Sequence, residues 1–369
     1  MATAARPWRA ARRRRHLWRE RHRTRAQQTE AASRIVSTAR ANFLPLGLAA
    51  GAAAGFLAPA PFAQLEALGF IRSAIALVFF LSGLNLRWAD VATALACPGA
   101  LVFGCASILL VSPLLGSAYA FSLPLLPREL KLGLAVFACV PTTLSSGAAL
   151  AFQAGGNNAL SVLLLVLTNV LGVLTMPTIV PFVFTSQSSL SMSPLGFLLD
   201  LCRTVLIPLF IGRTLSALSS RTASFASANK PLFSAISNVC IILTVAMQMS
   251  KAADKVQGAV SLNSLVGLVL ASVVLHLSFL AVNMSACYLL NFGGNDLETR
   301  NGVQRTLIIL CSQKTLPVCV SVVNVLAPVV NAAPGLLVLP CVLSHLLQNL
   351  IDAVLVSRWR SREAMLEVG

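Results

Sequence analysis

The chain has 369 residues, of which 56% are hydrophobic and 11% charged, and it carries a net charge of +16. Soluble domains carry about a quarter charged residues, so a chain this apolar cannot cover a water-facing surface, and a soluble enzyme or binding module is excluded. The excess charge is local and is no nucleic-acid signal: residues 1–40 hold twelve arginines against Glu20 and Glu30, a net +10.

Lipid accepts this composition. A hydrocarbon core about 30 Å thick takes roughly 20 apolar residues per helix, which leaves room for about ten spans beyond the tail. The Arg-rich, acid-poor segment 1–40 reads as a transit peptide for a plastid or mitochondrion, or else as a cytosolic tail that enforces positive-inside topology. The nine cysteines stand singly with no C-x-x-C pair, so neither a zinc site nor a redox motif is indicated and no cofactor is expected. His16 and His22 lie in the tail. His276 and His345 are single helical residues, read as packing or hydrogen-bonding groups.

Taken in chain order, apolar runs and their polar breaks predict ten spans. The first runs from about Asn42 to Ala58, the second from Phe70 to Leu86 with Arg87-Trp88 as an interfacial anchor, and the third from Cys97 to Ala120. The fourth starts near Lys131 and is interrupted at Val140-Pro141-Thr142-Thr143-Leu144-Ser145-Ser146-Gly147. The fifth runs from Asn157 to Phe184, the sixth from Leu198 to Leu215, the seventh from Phe233 to Met249 and the eighth from Leu262 to Leu290. The ninth, about Val303 to Leu326, is interrupted at Ser312-Gln313-Lys314-Thr315-Leu316-Pro317. The tenth covers Pro334 to Val356 and ends at Ser357-Arg358-Trp359-Arg360. Basic residues in the loops, nine against five, put both termini on the positive side.

Spans four and nine hold the same place in two groups of five. Five is odd, so the second group enters the membrane inverted: residues 41–190 form one repeat and 191–360 the other, with 361–369 as a C-terminal tail. Paired broken helices in corresponding positions point to a transporter binding site. Pro141 and Pro317 each lack an N–H and disrupt the helix before them. The backbone groups so freed need partners at membrane depth, and Thr142, Thr143, Ser145, Ser146, Ser312, Gln313 and Thr315 are placed to serve. Lys314 sits mid-span between apolar flanks, where a charge costs at least about 2.5–3.5 kcal/mol and marks a functional site by default. Asn169 is assigned to the site as well. Asp200 with Arg203 reads as a local pair, and Asp352 as a structural residue within reach of Arg358.

The stretches Val140-Pro141-Thr142-Thr143-Leu144-Ser145-Ser146, Gly155-Gly156-Asn157-Asn158-Ala159, Thr168-Asn169-Val170-Leu171-Gly172 and Cys311-Ser312-Gln313-Lys314-Thr315-Leu316 resemble the bile acid:sodium symporter family, in the branch of the plastid sodium/metabolite cotransporters. The resemblance spans about residues 42–360. It implies an all-α membrane protein with ten helices in two inverted five-helix repeats. Spans four and nine would cross at their breaks in a core domain, and spans one, two, six and seven would form a panel. An organic anion would bind between panel and core and cross by alternating access, driven by Na⁺. Ser146, Ser161 and Gln313 fall on sodium-ligand positions of the family pattern. Gly147, Leu165 and Ile309 depart from it, replacing an amide, a hydroxyl and an acid. Lys314 is therefore expected to stand in for one sodium ion, leaving coupling to H⁺, to fewer Na⁺, or to neither.

Two other readings stay open: a cation/proton antiporter of related fold, and a membrane regulator that does not transport. An enzyme is not expected, because no nucleophile–base pair or metal cluster is visible.

Overall fold

A computed structural model describes residues 43–85, 97–143, 146–185, 193–251, 253 and 261–368. The Arg-rich segment 1–40, the Arg87-Trp88 anchor, Leu144 and Ser145 lie outside the described residues. The chain divides into two compact units, Met1–Gly47 and Leu48–Gly369. The packing below concerns the second.

The described residues are helical, with no strand among them. Helix α1 (Phe43–Leu57) meets α2 (Pro59–Ala67) at a bend of 97°. The cause is Pro59, which forces Ala58 out of the helical region, to φ −132°. Helix α3 (Phe70–Leu84) follows Gly69, whose left-handed φ of 73° favours glycine. Helix α4 (Pro98–Ser122) contains a π-helical turn at Ser107–Val111. Helix α5 (Arg128–Cys139) stops at the extended Val140 before Pro141, and α6 (Ser146–Gln153) resumes after the break. Helix α7 (Asn158–Thr185) completes the first half.

The second half begins with α8 (Pro194–Leu218), which has its own π-turn at Cys202–Leu206, and the short α9 (Ser220–Ala228). Helices α10 (Lys230–Ser250) and α11 (Leu262–Leu290) follow. Helix α12 (Leu297–Ser312) ends at the extended residues Gln313–Thr315, and α13 (Leu316–Val329) restarts with Pro317 in its first turn. Helix α14 (Pro334–Val368) continues past the Arg358-Trp359-Arg360 anchor to Val368, so segment 361–368 is helical.

This is a multi-pass integral membrane protein. Seven helices among the described residues are long and apolar enough to cross a bilayer, or eight if α1 and α2 count as one bent span. Helix α3 is apolar but only 15 residues long, and α5 and α6 have 12 and 8. Each falls short of the roughly 20 residues that one straight crossing needs.

The helices pack as two groups. Helices α3, α8 and α10 lie together, and α1 joins them through α10. A Cβ on Gly83 of α3 would sit 2.1 Å from the Leu209 carbonyl of α8, and one on Gly212 of α8 would sit 2.2 Å from the Phe80 carbonyl of α3. Gly55 of α1 faces the Ala246 carbonyl of α10 just as closely, at 2.1 Å. Backbone approach over small residues is how membrane helices gain contact without a hydrophobic drive. In the second group α5 packs on α4, α13 and α14, while α12 packs on α4, α6, α7 and α11. The window within Leu297–Val329 is 94% buried, against 33% for Pro194–Leu218. The broken helix pair α12–α13 is thus wrapped by protein, and this permits extended backbone at membrane depth.

Candidate functional site

The two breaks meet. The backbone N–H of Thr315 donates to the carbonyl of Pro141 at 3.0 Å, so one interruption satisfies a group freed by the other. Around Pro141 the chain is closely fitted: a Cβ on Gly172 of α7 would sit 3.1 Å from the proline ring. Thr142 is fully buried. Its carbonyl accepts a hydrogen bond from Asn169 Nδ2 at 3.1 Å, while its own Oγ1 and Asn169 Oδ1 have no protein partner. Thr143 Oγ1 accepts from the Gly147 N–H at 2.8 Å and shares a 2.7 Å hydrogen bond with Ser146 Oγ. The Thr143 hydroxyl thus takes up one of the N–H groups that the first turn of α6 leaves unpaired. Both hydroxyls lie 3.5 Å from Gln313 Oε1.

Lys314 is fully buried, as the apolar flanks predicted. Its Nζ donates to the Ile108 carbonyl at 3.0 Å and sits 5.7 Å from the centre of the Phe279 ring. Its backbone is held by Gln348 of α14: the Lys314 N–H donates to Gln348 Oε1 at 2.9 Å, and Gln348 Nε2 donates to the Lys314 carbonyl at 2.8 Å. One side-chain amide therefore does for the break what a neighbouring strand would do. His345 Nδ1 lies 3.2 Å from the same carbonyl. Ser312 Oγ accepts from Asn283 Nδ2 at 3.1 Å, and Asn283 Oδ1 accepts from Ser107 Oγ at 2.6 Å.

Gln313 joins the two halves of the site. Its Nε2 donates to Asp352 Oδ2 at 2.8 Å and lies 3.5 Å from Asn349 Oδ1. Asp352 does not reach for Arg358 as the sequence suggested. It is fully buried, and its Oδ1 is 2.8 Å from His276 Nε2. Burial explains the correction: an enclosed carboxylate needs donors within contact distance, and α11 and α12 bring them.

Of the residues read from sequence, the structure brings together Pro141, Thr142, Thr143, Ser146, Asn169, Gln313, Lys314 and Thr315, with Ser312 close behind on Asn283. Ser161 uses other partners: it donates to the Asn157 carbonyl at 2.9 Å and lies 3.4 Å from Thr306 Oγ1. Pro317 lines a small, open apolar cleft with Ile75, Val78, Ile241, Thr244 and Val320, between α3, α10 and α13. At Gly147 a Cβ would sit 3.0 Å from the Leu310 side chain and 3.1 Å from Gln313 Oε1, so a larger residue there requires those side chains to shift. Leu165 and Ile309 are packed into one apolar cluster. Sequence reading missed His276, His345, Gln348, Asn349 and Asp352 as members of the site. A signal existed, because residues 345, 348, 349 and 352 follow i, i+3, i+4, i+7 spacing and so share one helix face.

A family model for the SBF-like CPA transporter family matches residues 42–361. The chain is 37% identical over 342 residues to "Probable sodium/metabolite cotransporter BASS4, chloroplastic" of Arabidopsis thaliana, covering 91% of this chain and 77% of that protein. It is 34% identical over 341 residues to the protein of the same name from Oryza sativa subsp. indica, covering 92% and 80% respectively.

Proposed function

The chain belongs to the SBF-like CPA transporter family, a family of transporters and not of enzymes, and from that premise we propose that it is a secondary transporter carrying an organic anion across a plastid envelope by alternating access. The observation that carries this is the hydrogen bond joining the two breaks, with Lys314 buried in one of them. An ionisable side chain enclosed at membrane depth marks a functional site, and paired broken helices point to a transporter binding site.

The proposal includes ten spans in two inverted repeats. Seven long helices, the bent α1–α2 pair, the short α3 and the α5–α6 pair joined across Pro141 make ten crossings. The glycine contacts support the inversion. Span one meets span seven through Gly55 against the Ala246 carbonyl, and span six meets span two through Gly212 against the Phe80 carbonyl. Helices α1, α3, α8 and α10 then form the panel, and the others form the core. The cleft at Pro317 lies between them. The chloroplast location rests on the relatives' names and on the Arg-rich N-terminus.

Uptake of labelled organic acids into proteoliposomes tests the reading, under a Na⁺ gradient, a H⁺ gradient, or neither. Accumulation of an acid under a Na⁺ gradient is expected. Exchange of Na⁺ for H⁺ with no organic acid would favour the antiporter, and no flux of any kind would favour a regulator.

A further inference from the structure

The Asp200–Arg203 pair that the spacing predicts does not form. Among the described residues, neither the Asp200 carboxylate nor the Arg203 guanidinium has an ion-pair partner. Arg203 is exposed and Asp200 half-buried. Both lie on α8, which at 33% buried is the least covered of the seven long spans among the described residues. Helix α8 has two faces. Phe197, Leu201, Val205 and Leu209 are buried, with α3 and α7 packed on the helix. Leu199, Arg203, Ile207, Phe210, Thr214 and Leu218 are exposed. Their steps of three and four residues put them on one stripe, and Arg203 lies within it.

Arg203 stands nine residues past Pro194 and fifteen before Leu218, about 13 Å and 22 Å along the helix axis. Both distances exceed the length of an arginine side chain. An ionisable group that faces lipid at such depth is costly, and such groups pair with one another or face protein.

We infer that the exposed stripe of α8 is a contact surface for a second copy of this chain, with Asp200 of each copy paired to Arg203 of the other. Copies inserted in one membrane share an orientation, so a two-fold axis relating them runs along the membrane normal and sets the two α8 helices parallel. A two-fold contact is self-complementary: residue i meets residue j, and j meets i. Asp200 and Arg203 fit that rule. They lie about 4.5 Å apart along the axis and about 60° apart around it. Arg203, on the centre of the stripe, therefore reaches the carboxylate on the flank of the facing helix. The contact then holds two ion pairs and no net charge, in a medium where opposite charges attract far more strongly than in water. Leu199, Ile207 and Phe210 supply the apolar packing on either side of the pairs. A lipid headgroup would answer Arg203 alone and leave Asp200 without a counter-charge; a second copy answers both.

The contact depends on membrane insertion and not on transport, so its test measures association. Full-length protein carrying a donor or an acceptor dye is reconstituted together into liposomes, and energy transfer is followed as the protein-to-lipid ratio falls. Wild-type transfer should exceed that of random mixing. Asp200→Arg alone and Arg203→Asp alone should each need at least about tenfold more protein per lipid to associate, since each makes two like charges meet. Mixed with one another, the two variants should regain the wild-type level, because one copy then offers two cations and the other two anions. Wild-type transfer at the random level would overturn the contact, as would single variants that associate normally. A mixture that does not recover would overturn it too, and would assign Arg203 to a lipid headgroup. If either charge variant does not insert, Ile207→Cys takes its place. Under oxidation it should cross-link to its equivalent in another copy above the background of the native thiols, Cys202 among them, whereas Val266→Cys, exposed on α11, should not. Absence of the Ile207→Cys cross-link overturns the contact equally.

Discussion

The Lys314 ammonium occupies a carbonyl in the middle of α4 that the helix itself leaves open. In the π-turn the Ser112 N–H goes to the Ser107 carbonyl, which takes it away from Ile108. The next N–H in line would belong to residue 113, and that residue is proline. Ile108 O is left for Lys314 Nζ at 3.0 Å. The same device recurs on α8, where the Ile207 N–H turns back to Cys202 ahead of Pro208.

Lys314→Ala removes a charge-assisted hydrogen bond of about 1.5–3 kcal/mol and with it the proposed stand-in for one sodium ion. Organic-acid flux in proteoliposomes should fall at least about tenfold at low Na⁺ and become more steeply dependent on Na⁺ concentration. Flux in the variant that loses its Na⁺ dependence would count against Lys314 as a fixed cation.

Gln348→Leu keeps the side-chain volume close but strips the Lys314 N–H of its acceptor. His345 remains beside the carbonyl, so one buried donor is orphaned, at a cost of about 1–3 kcal/mol. A lower Tm and a loss of organic-acid flux are expected together, since the residue holds the break in shape. A variant that unfolds at the wild-type temperature would show that the amide pairing carries no weight.

Gly83→Ala and Gly212→Ala each press a methyl onto backbone carbonyl at the α3–α8 contact. Overpacking of this kind costs about 1–3 kcal/mol, and the pair should be non-additive because the first insertion already separates the helices. Gly69→Ala is a control of another kind: nothing lies within 4 Å of its Cβ position, and its cost comes only from the left-handed φ of 73°, about 1–2 kcal/mol. Thermal unfolding of the three single variants and the double variant measures both effects.

Asp296 caps α12 outside the membrane, accepting from the Thr299 N–H at 2.9 Å. The Thr299 side chain and then its backbone hold the carboxyl below its ordinary value. A depressed acid stabilises the fold above its unfolded value and loses that contribution as pH falls through the folded one. Amide exchange in the first turn of α12 should therefore be slow at neutral pH and quicken relative to Asp296→Ala only on the acid side of about pH 4. Equal protection in the wild type and Asp296→Ala at neutral pH would remove the cap from consideration.

The sequence by itself determined the membrane class, the order of apolar runs and the two broken helices. Those follow from local causes: few charges, runs of span length, and prolines that lack an N–H. It also marked Lys314, because a cation between two apolar flanks has nowhere to go. Only the tertiary structure decided which polar groups meet. Ile108 and Lys314 are 206 residues apart, Thr143 and Gln313 are 170 apart, and His276 and Asp352 are 76 apart. No local pattern sets such pairs; they follow from how the helices pack. Asp352 shows the difference most clearly. Along the chain its nearest opposite charge is Arg358, but in the folded protein the enclosed carboxylate is turned inward, because two donors on other helices stand within hydrogen-bond reach and water does not.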